Sequence, residues 1–308
     1  MTKIFIDGKA GTTGLRIEER LSARDDVTIL SLPDELRKDT AARREIINSS
    51  DVVFLCLPDD AAREAVSLIE NDSVTVIDAS TAHRTNPAWA YGFPELAPEF
   101  EEKIKSGNRI AVPGCHASGF IALVYPLIKA GIISPDAHLF AHSLTGYSGG
   151  GKKMIAEYES ADRCALLGAP RQYGISQMHK HLPEMTAITG LECAPIFSPI
   201  VADFYSGMEV TVPLFKKDIN GGIEDVKNVY RSAYSSPILH FNESDDEGGF
   251  LSAAKYSGLD SMGVSVYGND ERILVVARYD NLGKGASGAA VECLNVKLGC
   301  DKAKTLIV

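Results

Sequence analysis

Six cysteines, at positions 56, 115, 164, 193, 293 and 300, form no Cys-x-x-Cys pair and share no zinc-type spacing with histidine. That pattern excludes a disulfide-stapled scaffold and a structural metal knot, and no metal is expected. Long apolar runs are missing too: the stretch 120–128 falls far short of the ~20 residues that cross a bilayer. The first residues enter a strand pattern without a charged and then apolar leader, so a secretory signal is not expected. Cations are in deficit, 31 Lys and Arg against 41 Asp and Glu for a formal net charge of -10, which leaves no broad field for a polyanion. No repeat or low-complexity tract stands out. These absences point to a cytoplasmic protein with reduced thiols that binds neither nucleic acid nor membrane.

What remains is ordinary globular material. With 308 residues, 45% of them hydrophobic and 23% charged, the chain is long enough for two domains, each with its own core. Residues 3–6, 27–30, 52–57, 74–77 and 109–112 are strand-like clusters separated by amphipathic segments, the grammar of βαβ units and a parallel sheet. Ser118 is placed to N-cap an apolar helix over 119–130, with Pro126 as a kink and Gly131 as its stop. Beyond it, 139–144, 195–201, 208–214, 263–267 and 273–277 read as strands with few helices between, an α+β signature. A helix is expected over 223–234, an exposed loop over 242–249 and a last helix over 286–298.

Directly after the first strand comes Gly8-Lys9-Ala10-Gly11-Thr12-Thr13-Gly14, opening a helix. Glycines there let the backbone approach a pyrophosphate, and the free N–H groups of the helix start supply donors. The spacing is GxxGxxG rather than GxGxxG, so a purely structural turn is the alternative. At the end of the second strand stands Ser31, followed by Asp34, Arg37 and Lys38. A hydroxyl with cations close behind suits a 2′-phosphate and hence NADP; Asp34 argues the other way, and a solvated helix start would also explain the charges.

Cys115 lies in Val112-Pro113-Gly114-Cys115-His116, between a strand and a helix start, where the dipole end stabilises a thiolate. Of the six cysteines only this one has that setting; Cys56, Cys164 and Cys293 read as inert thiols, and a buried small hydrophobe is the plain alternative for Cys115 as well. A thiolate needs a proton-handling partner. His179-Lys180-His181-Leu182-Pro183-Glu184 is the densest histidine cluster, its two imidazoles on one face of an extended segment, with Glu184 able to orient one.

The motifs together carry a resemblance. Asp7 to Leu15, Asp78-Ala79-Ser80-Thr81-Ala82-His83-Arg84, Tyr91-Gly92-Phe93-Pro94-Glu95, Pro113-Gly114-Cys115-His116, Gly146 to Lys153, His179 to Glu184 and Asn281 to Gly288 resemble, in order and spacing, the N-acetyl-γ-glutamyl-phosphate reductase family in its shorter form, within the aspartate-semialdehyde dehydrogenase-like superfamily. The resemblance implies an α/β fold: a Rossmann-type doubly wound parallel sheet domain binding NADP over 1–114 and 284–308, and an α+β catalytic, substrate-binding and oligomerisation domain of the semialdehyde dehydrogenase type over 115–283. It implies a homodimer or homotetramer that reduces a small acyl-phosphate substrate through a Cys115 thioester. His179 is then the first candidate for the general acid and base, with His181 close behind and His116 left open. Gly8, Gly11, Thr12, Thr13, Gly14, Ser31, Arg37 and Gly285 are implied for the cofactor, and Arg84, Ser80, Tyr147 and Glu184 for the substrate. For Arg84 a surface salt bridge is the alternative, and Lys152 and Lys153 read equally as carboxylate or phosphate ligands and as a solvated pair. Two rival functions remain: another acyl-phosphate reductase, such as aspartate-semialdehyde dehydrogenase, and a non-catalytic NADP-binding redox regulator.

Overall fold

A computed structural model describes residues 1–308. The chain runs β1 (Thr2–Asp7), α1 (Thr12–Ser22), β2 (Val27–Leu30), α2 (Thr40–Asn48), β3 (Val52–Leu55), α3 (Asp59–Ser67), β4 (Thr75–Asp78), β5 (Ala90–Tyr91), α4 (Pro98–Ser106) and β6 (Arg109–Ala111). It continues through α5 (Cys115–Lys129), β7 (Phe140–Gly146), α6 (Gly151–Glu159), β8 (Arg171–Gln172), α7 (Leu182–Thr189), β9 (Ile196–Ala202) and β10 (Met208–Phe215). The last part is α8 (Ile223–Ala233), β11 (Leu239–Asn242), β12 (Met262–Gly268), β13 (Arg272–Tyr279) and α9 (Gly288–Lys297).

Two compact units result: Met1–Gly114 with Ala286–Leu306, and Cys115–Gly285 with Ile307–Val308. Residues 284–285 and 307–308, expected with the first part, thus belong to the second. Backbone bonds explain the shift, since Gly285 N donates to Asp280 O at 3.0 Å and Asp260 N to Ile307 O at 2.6 Å.

The first unit carries a six-stranded sheet in the order β2-β1-β3-β4-β6-β5, every neighbour parallel. The central strands β3 and β4 are buried on both faces, which is why they read as continuous apolar runs, whereas the edge strand β2 is partly exposed. Chain direction across the sheet reverses at β1, whose partners are β2 on one side and β3 on the other, and the C-terminal strand ends there form the crevice where such folds take ligands. Ile4, Ile17, Phe54, Ile77 and Ile110 pack with Ala290, Val291 and Leu294 of α9 in one core.

The second unit is built on a mixed seven-stranded sheet, β11-β12-β13-β10-β7-β9-β8. The short strands β8 and β11 were not expected; β8 has two residues, too few to show a period of two, and β11 is the four-residue edge Leu239–Asn242. Helix α5 packs on β10, β13, α7 and α8, and it is buried from His116 to Leu127. It starts at Cys115, not at 119, so Ser118 lies buried in its first turn instead of capping it. Burial of the whole first turn outweighed the local capping preference on which the expected boundary rested.

Pro126 sits inside α5 and has no N–H to give to the Ala122 carbonyl. That carbonyl is satisfied from outside the helix: Tyr234 donates its hydroxyl to Ala122 O at 2.7 Å. Tyr230 of α8 likewise donates to Leu123 O at 2.6 Å. The helix ends as expected at Gly131, φ 71, with Gly131 N on Ile128 O and Ile132 N on Leu127 O. The acidic 242–249 loop is anchored rather than loose, because the fully buried Arg278 reaches Asp245 Oδ2 at 2.9 Å and Glu247 Oε1 at 2.8 Å. No helix is long and apolar enough to cross a membrane.

Candidate active site

In the first unit, Gly8 adopts φ +85, and a methyl there would stand 2.3 Å from Cys56 O, so the β1–α1 turn closes against β3 only with glycine at this position. Gly11 precedes α1 and no side chain caps it, which leaves the N–H groups of Thr12, Thr13 and Gly14 at an uncapped helix start. Beside this turn a pocket of about 210 Å³ is lined by Asp7, Gly8, Lys9, Ser31, Arg37 and Lys38. These residues fit a dinucleotide: the turn admits a pyrophosphate, and a hydroxyl with two cations borders the space beyond β2. Arg37 meanwhile holds Asp34 Oδ1 at 2.5 Å, an exposed ion pair that a competing anion can displace at little cost.

The turn after β4 is tied to Asp78. That buried carboxylate accepts from Ser80 N and Ser80 Oγ at 2.8 and 2.7 Å and meets His83 Nδ1 at 2.6 Å. His83 in turn stacks on Trp89 with ring centroids 4.0 Å apart. Arg84 is buried, not on the surface, and donates from Nε to Val112 O at 2.8 Å and from Nη2 to Ala79 O at 3.0 Å. Ser80 and Arg84 therefore brace the loop itself.

In the second unit Cys115 is the first residue of α5, a half-buried thiol at the end of the helix where amides lack intrahelical acceptors. The remaining cysteines separate from it. Cys293 is buried and its thiol faces Gly92 O, burial pushes the Cys56 thiol up to about 12, and Cys164 is exposed rather than part of a core.

Around the start of α5 lies a knot of imidazoles. His116 ring contacts place His179 at 5.9 Å and His181 at 5.6 Å, centroid to centroid, with 4.8 Å between the latter two. His116 is fully enclosed: Nδ1 meets Ser143 Oγ at 2.6 Å, Nε2 meets Tyr173 Oη at 2.6 Å, and Phe197 packs at 5.3 Å. Burial, then the neighbouring His179, hold its pKa down to about 3, so it is a fixed neutral hydrogen-bonding group near neutral pH. His179 is half-buried and lowered by burial and by Lys180; its Nδ1 accepts from His181 N at 3.3 Å, which puts the proton of the neutral ring on Nε2. His181 and Glu184 are buried. Burial and the nearby Cys115 raise the Tyr173 phenol, keeping it a neutral donor.

Gly285, expected at the cofactor, packs on the nucleophile candidate: a methyl on it would stand 3.1 Å from Cys115 Cβ. Tyr147 stacks on Tyr158 at 4.7 Å and directs its hydroxyl to Glu159 Oε1 at 3.3 Å. Arg171 also lies over Tyr158, 5.2 Å from the ring centroid, and donates to its hydroxyl from Nη2 at 3.0 Å without a carboxylate partner. Arg171 and Tyr173, two residues apart in an extended segment, face the same side. Sequence reasoning missed Ser143, Arg171, Tyr173 and Tyr279, although Tyr173 precedes the His179 motif by a few residues and Tyr279 borders Asn281 to Gly288. No group of His, Cys, Asp and Glu is arranged to hold a metal ion.

Residues 115–281 match the semialdehyde dehydrogenase dimerisation domain and residues 5–104 the semialdehyde dehydrogenase NAD binding domain. The N-acetyl-gamma-glutamyl-phosphate reductase 2 of Nostoc sp. is 44% identical, covering 96% of this chain and 97% of its own. The N-acetyl-gamma-glutamyl-phosphate reductase of Chelativorans sp. is also 44% identical, over 96% and 98%. The chain belongs to the N-acetyl-γ-glutamyl-phosphate reductase family. The nucleotide-binding match falls on the parallel sheet and the dimerisation match begins at Cys115. The fold is shared with aspartate semialdehyde dehydrogenase II of Vibrio cholerae, at TM-score 0.72 and 17% identity over 97% of this chain and 98% of that one.

Proposed function

We propose that this chain reduces N-acetyl-γ-glutamyl phosphate to N-acetylglutamate 5-semialdehyde and phosphate at the expense of NADPH, in arginine biosynthesis. One observation carries the reading: the single cysteine at a helix start is the one beside a knot of three histidines. The sulfur of Cys115 attacks the acyl carbon, the bond from that carbon to the phosphate oxygen breaks, and a thioester forms. The glycine turn, Ser31 and Arg37 of the first unit would hold NADPH, whose chemistry would be a hydride for the thioester carbon. Amides of the first α5 turn and the Nε2–H of His179 donate to the developing oxyanion. His179, with His181 beside it, gives that oxygen the Nε2 proton to form the thiohemiacetal and takes it back as the carbon–sulfur bond breaks and the aldehyde leaves. His116, neutral and held at both nitrogens, fixes Tyr173 instead of moving protons.

Ser80 and Arg84 act by holding the turn after β4 in shape for the acyl phosphate, and Tyr147 and Glu184 border the substrate. Arg171, a cation lacking a carboxylate partner, is assigned to the substrate's α-carboxylate. The protein is taken to work in the cytoplasm as a homodimer or homotetramer.

The test is phosphate-dependent reduction of NADP by N-acetylglutamate semialdehyde, against aspartate semialdehyde, for native protein and Cys115→Ser. Turnover with the acetylated aldehyde alone, lost by a factor above roughly 10³ in the serine variant, is expected. Preference for aspartate semialdehyde, or a fully active serine variant, contradicts the reading. Arg171→Ala is expected to raise KM for the aldehyde about tenfold and leave kcat nearly unchanged, because it removes a contact that the ground and transition states share.

A further inference from the structure

In the first turn of α5 a tyrosine hydroxyl bonds two backbone groups of the helix, Cys115 O and Gly119 N. Tyr279, the last residue of β13, is fully buried, donates its hydroxyl to Cys115 O and accepts from Gly119 N at 3.0 Å. Glycine at 119 is what admits the ring: a methyl there would stand 2.7 Å from the Tyr279 hydroxyl and 2.9 Å from Cε1. Burial holds the phenol well above its usual range, so the hydroxyl stays a neutral donor.

The same chain segment grips Cys115 a second time. After Tyr279 the backbone turns on Asp280, whose buried carboxylate accepts from Leu282 N and Gly283 N at 2.6 and 2.9 Å, and from Ser206 Oγ and Gly258 N at 2.7 and 2.6 Å. Asn281 adds bonds from Gly207 N at 2.9 Å and to Ser148 Oγ at 3.0 Å. This braced turn brings Gly285 back against Cys115 Cβ. The backbone carbonyl of Cys115 is thus held from one end of the segment and its side-chain root from the other.

We propose that Tyr279 is a positioning residue for Cys115: its hydroxyl, inserted in the first helical turn through the gap left by Gly119, sets the backbone of the nucleophile and thereby the line of approach of the sulfur. The proposal rests on Cys115 being the nucleophile. A helix does not need this hydroxyl to start, since Gly119 has its own N–H to give to Cys115 O; the tyrosine adds a side-chain partner to backbone groups that the helix can satisfy unaided.

The experiment compares full-length Tyr279→Phe and Gly119→Ala with native protein for kcat, KM, melting temperature and the rate of Cys115 alkylation by iodoacetamide. Displacing a reacting group by a fraction of an ångström costs on the order of 10- to 100-fold, so kcat of both variants should fall by that factor with KM within about twofold. Alkylation should slow several-fold, and the double variant should be no worse than the poorer single one, because both changes remove the same contact. Native kcat and native alkylation in Tyr279→Phe, with or without a lower melting temperature, overturn the proposal. If the Phe variant fails to fold, 3,5-difluorotyrosine at 279, similar in shape but a stronger donor, replaces it; a kcat and an alkylation rate unchanged by that residue also overturn the proposal. A Cys115→Ser protein with native turnover would instead sink the nucleophile assignment, so the two failures are distinguishable.

Discussion

Three tyrosine hydroxyls bond the α5 backbone, and those at Ala122 and Cys115 do so for different reasons. At Ala122 the intrusion is a repair: Pro126 has removed the helical donor, and Tyr234 replaces it at 2.7 Å. At Cys115 nothing is missing, because residue 119 is a glycine with its own N–H, yet the Tyr279 hydroxyl bonds both backbone groups as well. The first tyrosine restores a helix that the sequence would have broken. The second joins a turn that forms without it, at the residue proposed as the nucleophile. The same contact therefore serves the fold in one region and the chemistry in the other.

The comparison breaks most visibly in turnover. Tyr279→Phe should lose about 10- to 100-fold in kcat whereas Tyr234→Phe should stay within about twofold of native; equal losses in steady-state assays would erase the distinction. Stability should rank the pair the other way. Tyr234→Phe leaves the Ala122 carbonyl buried without a donor, a cost of about 1–3 kcal/mol in urea unfolding. Pro126→Ala supplies the missing amide, so in that background the same change should cost less than about 1 kcal/mol. An unchanged cost would show that Tyr234 repairs nothing.

A smaller effect should appear with pH at the same end of the helix. His116 is held at about 3 by burial, below its ordinary 6.5, so the folded state refuses a proton that the unfolded chain accepts. Its contribution is complete above pH 6.5 and is lost progressively as pH falls toward 3. Linkage puts the loss at roughly 1.4 kcal/mol by pH 5.5. Unfolding free energies at pH 7.5 and 5.5 should differ by about that much more in native protein than in His116→Asn; equal pH dependence would mean that the imidazole is not shielded.

Much of this was legible in the residues. Apolar runs between amphipathic segments located β1, β2, β3, β4 and β6, most clearly β3 and β4, because strands buried on both faces leave a continuous hydrophobic signal. The two-residue β5 and β8 left none. The start of α5 was misplaced because Ser118 has the chemistry of a cap but is buried by tertiary packing, which no local preference reports. Cys115, His179 and His181 stood out by residue type and setting. Tyr173, Arg171 and Tyr279 did not, since their partners are distant in sequence: 57 residues separate His116 from Tyr173 and 164 separate Cys115 from Tyr279. Arg84 and Ser80 carried the right chemistry for an anion, but the fold engages them with Asp78 and backbone carbonyls.

The covalent step is the centre of the account and can be isolated by withholding the reductant. Protein mixed with N-acetyl-γ-glutamyl phosphate and no NADPH should release one phosphate per site in a burst and gain the mass of one N-acetylglutamyl group on the peptide containing Cys115. A burst without an adduct on Cys115, or an adduct on another residue, would contradict it.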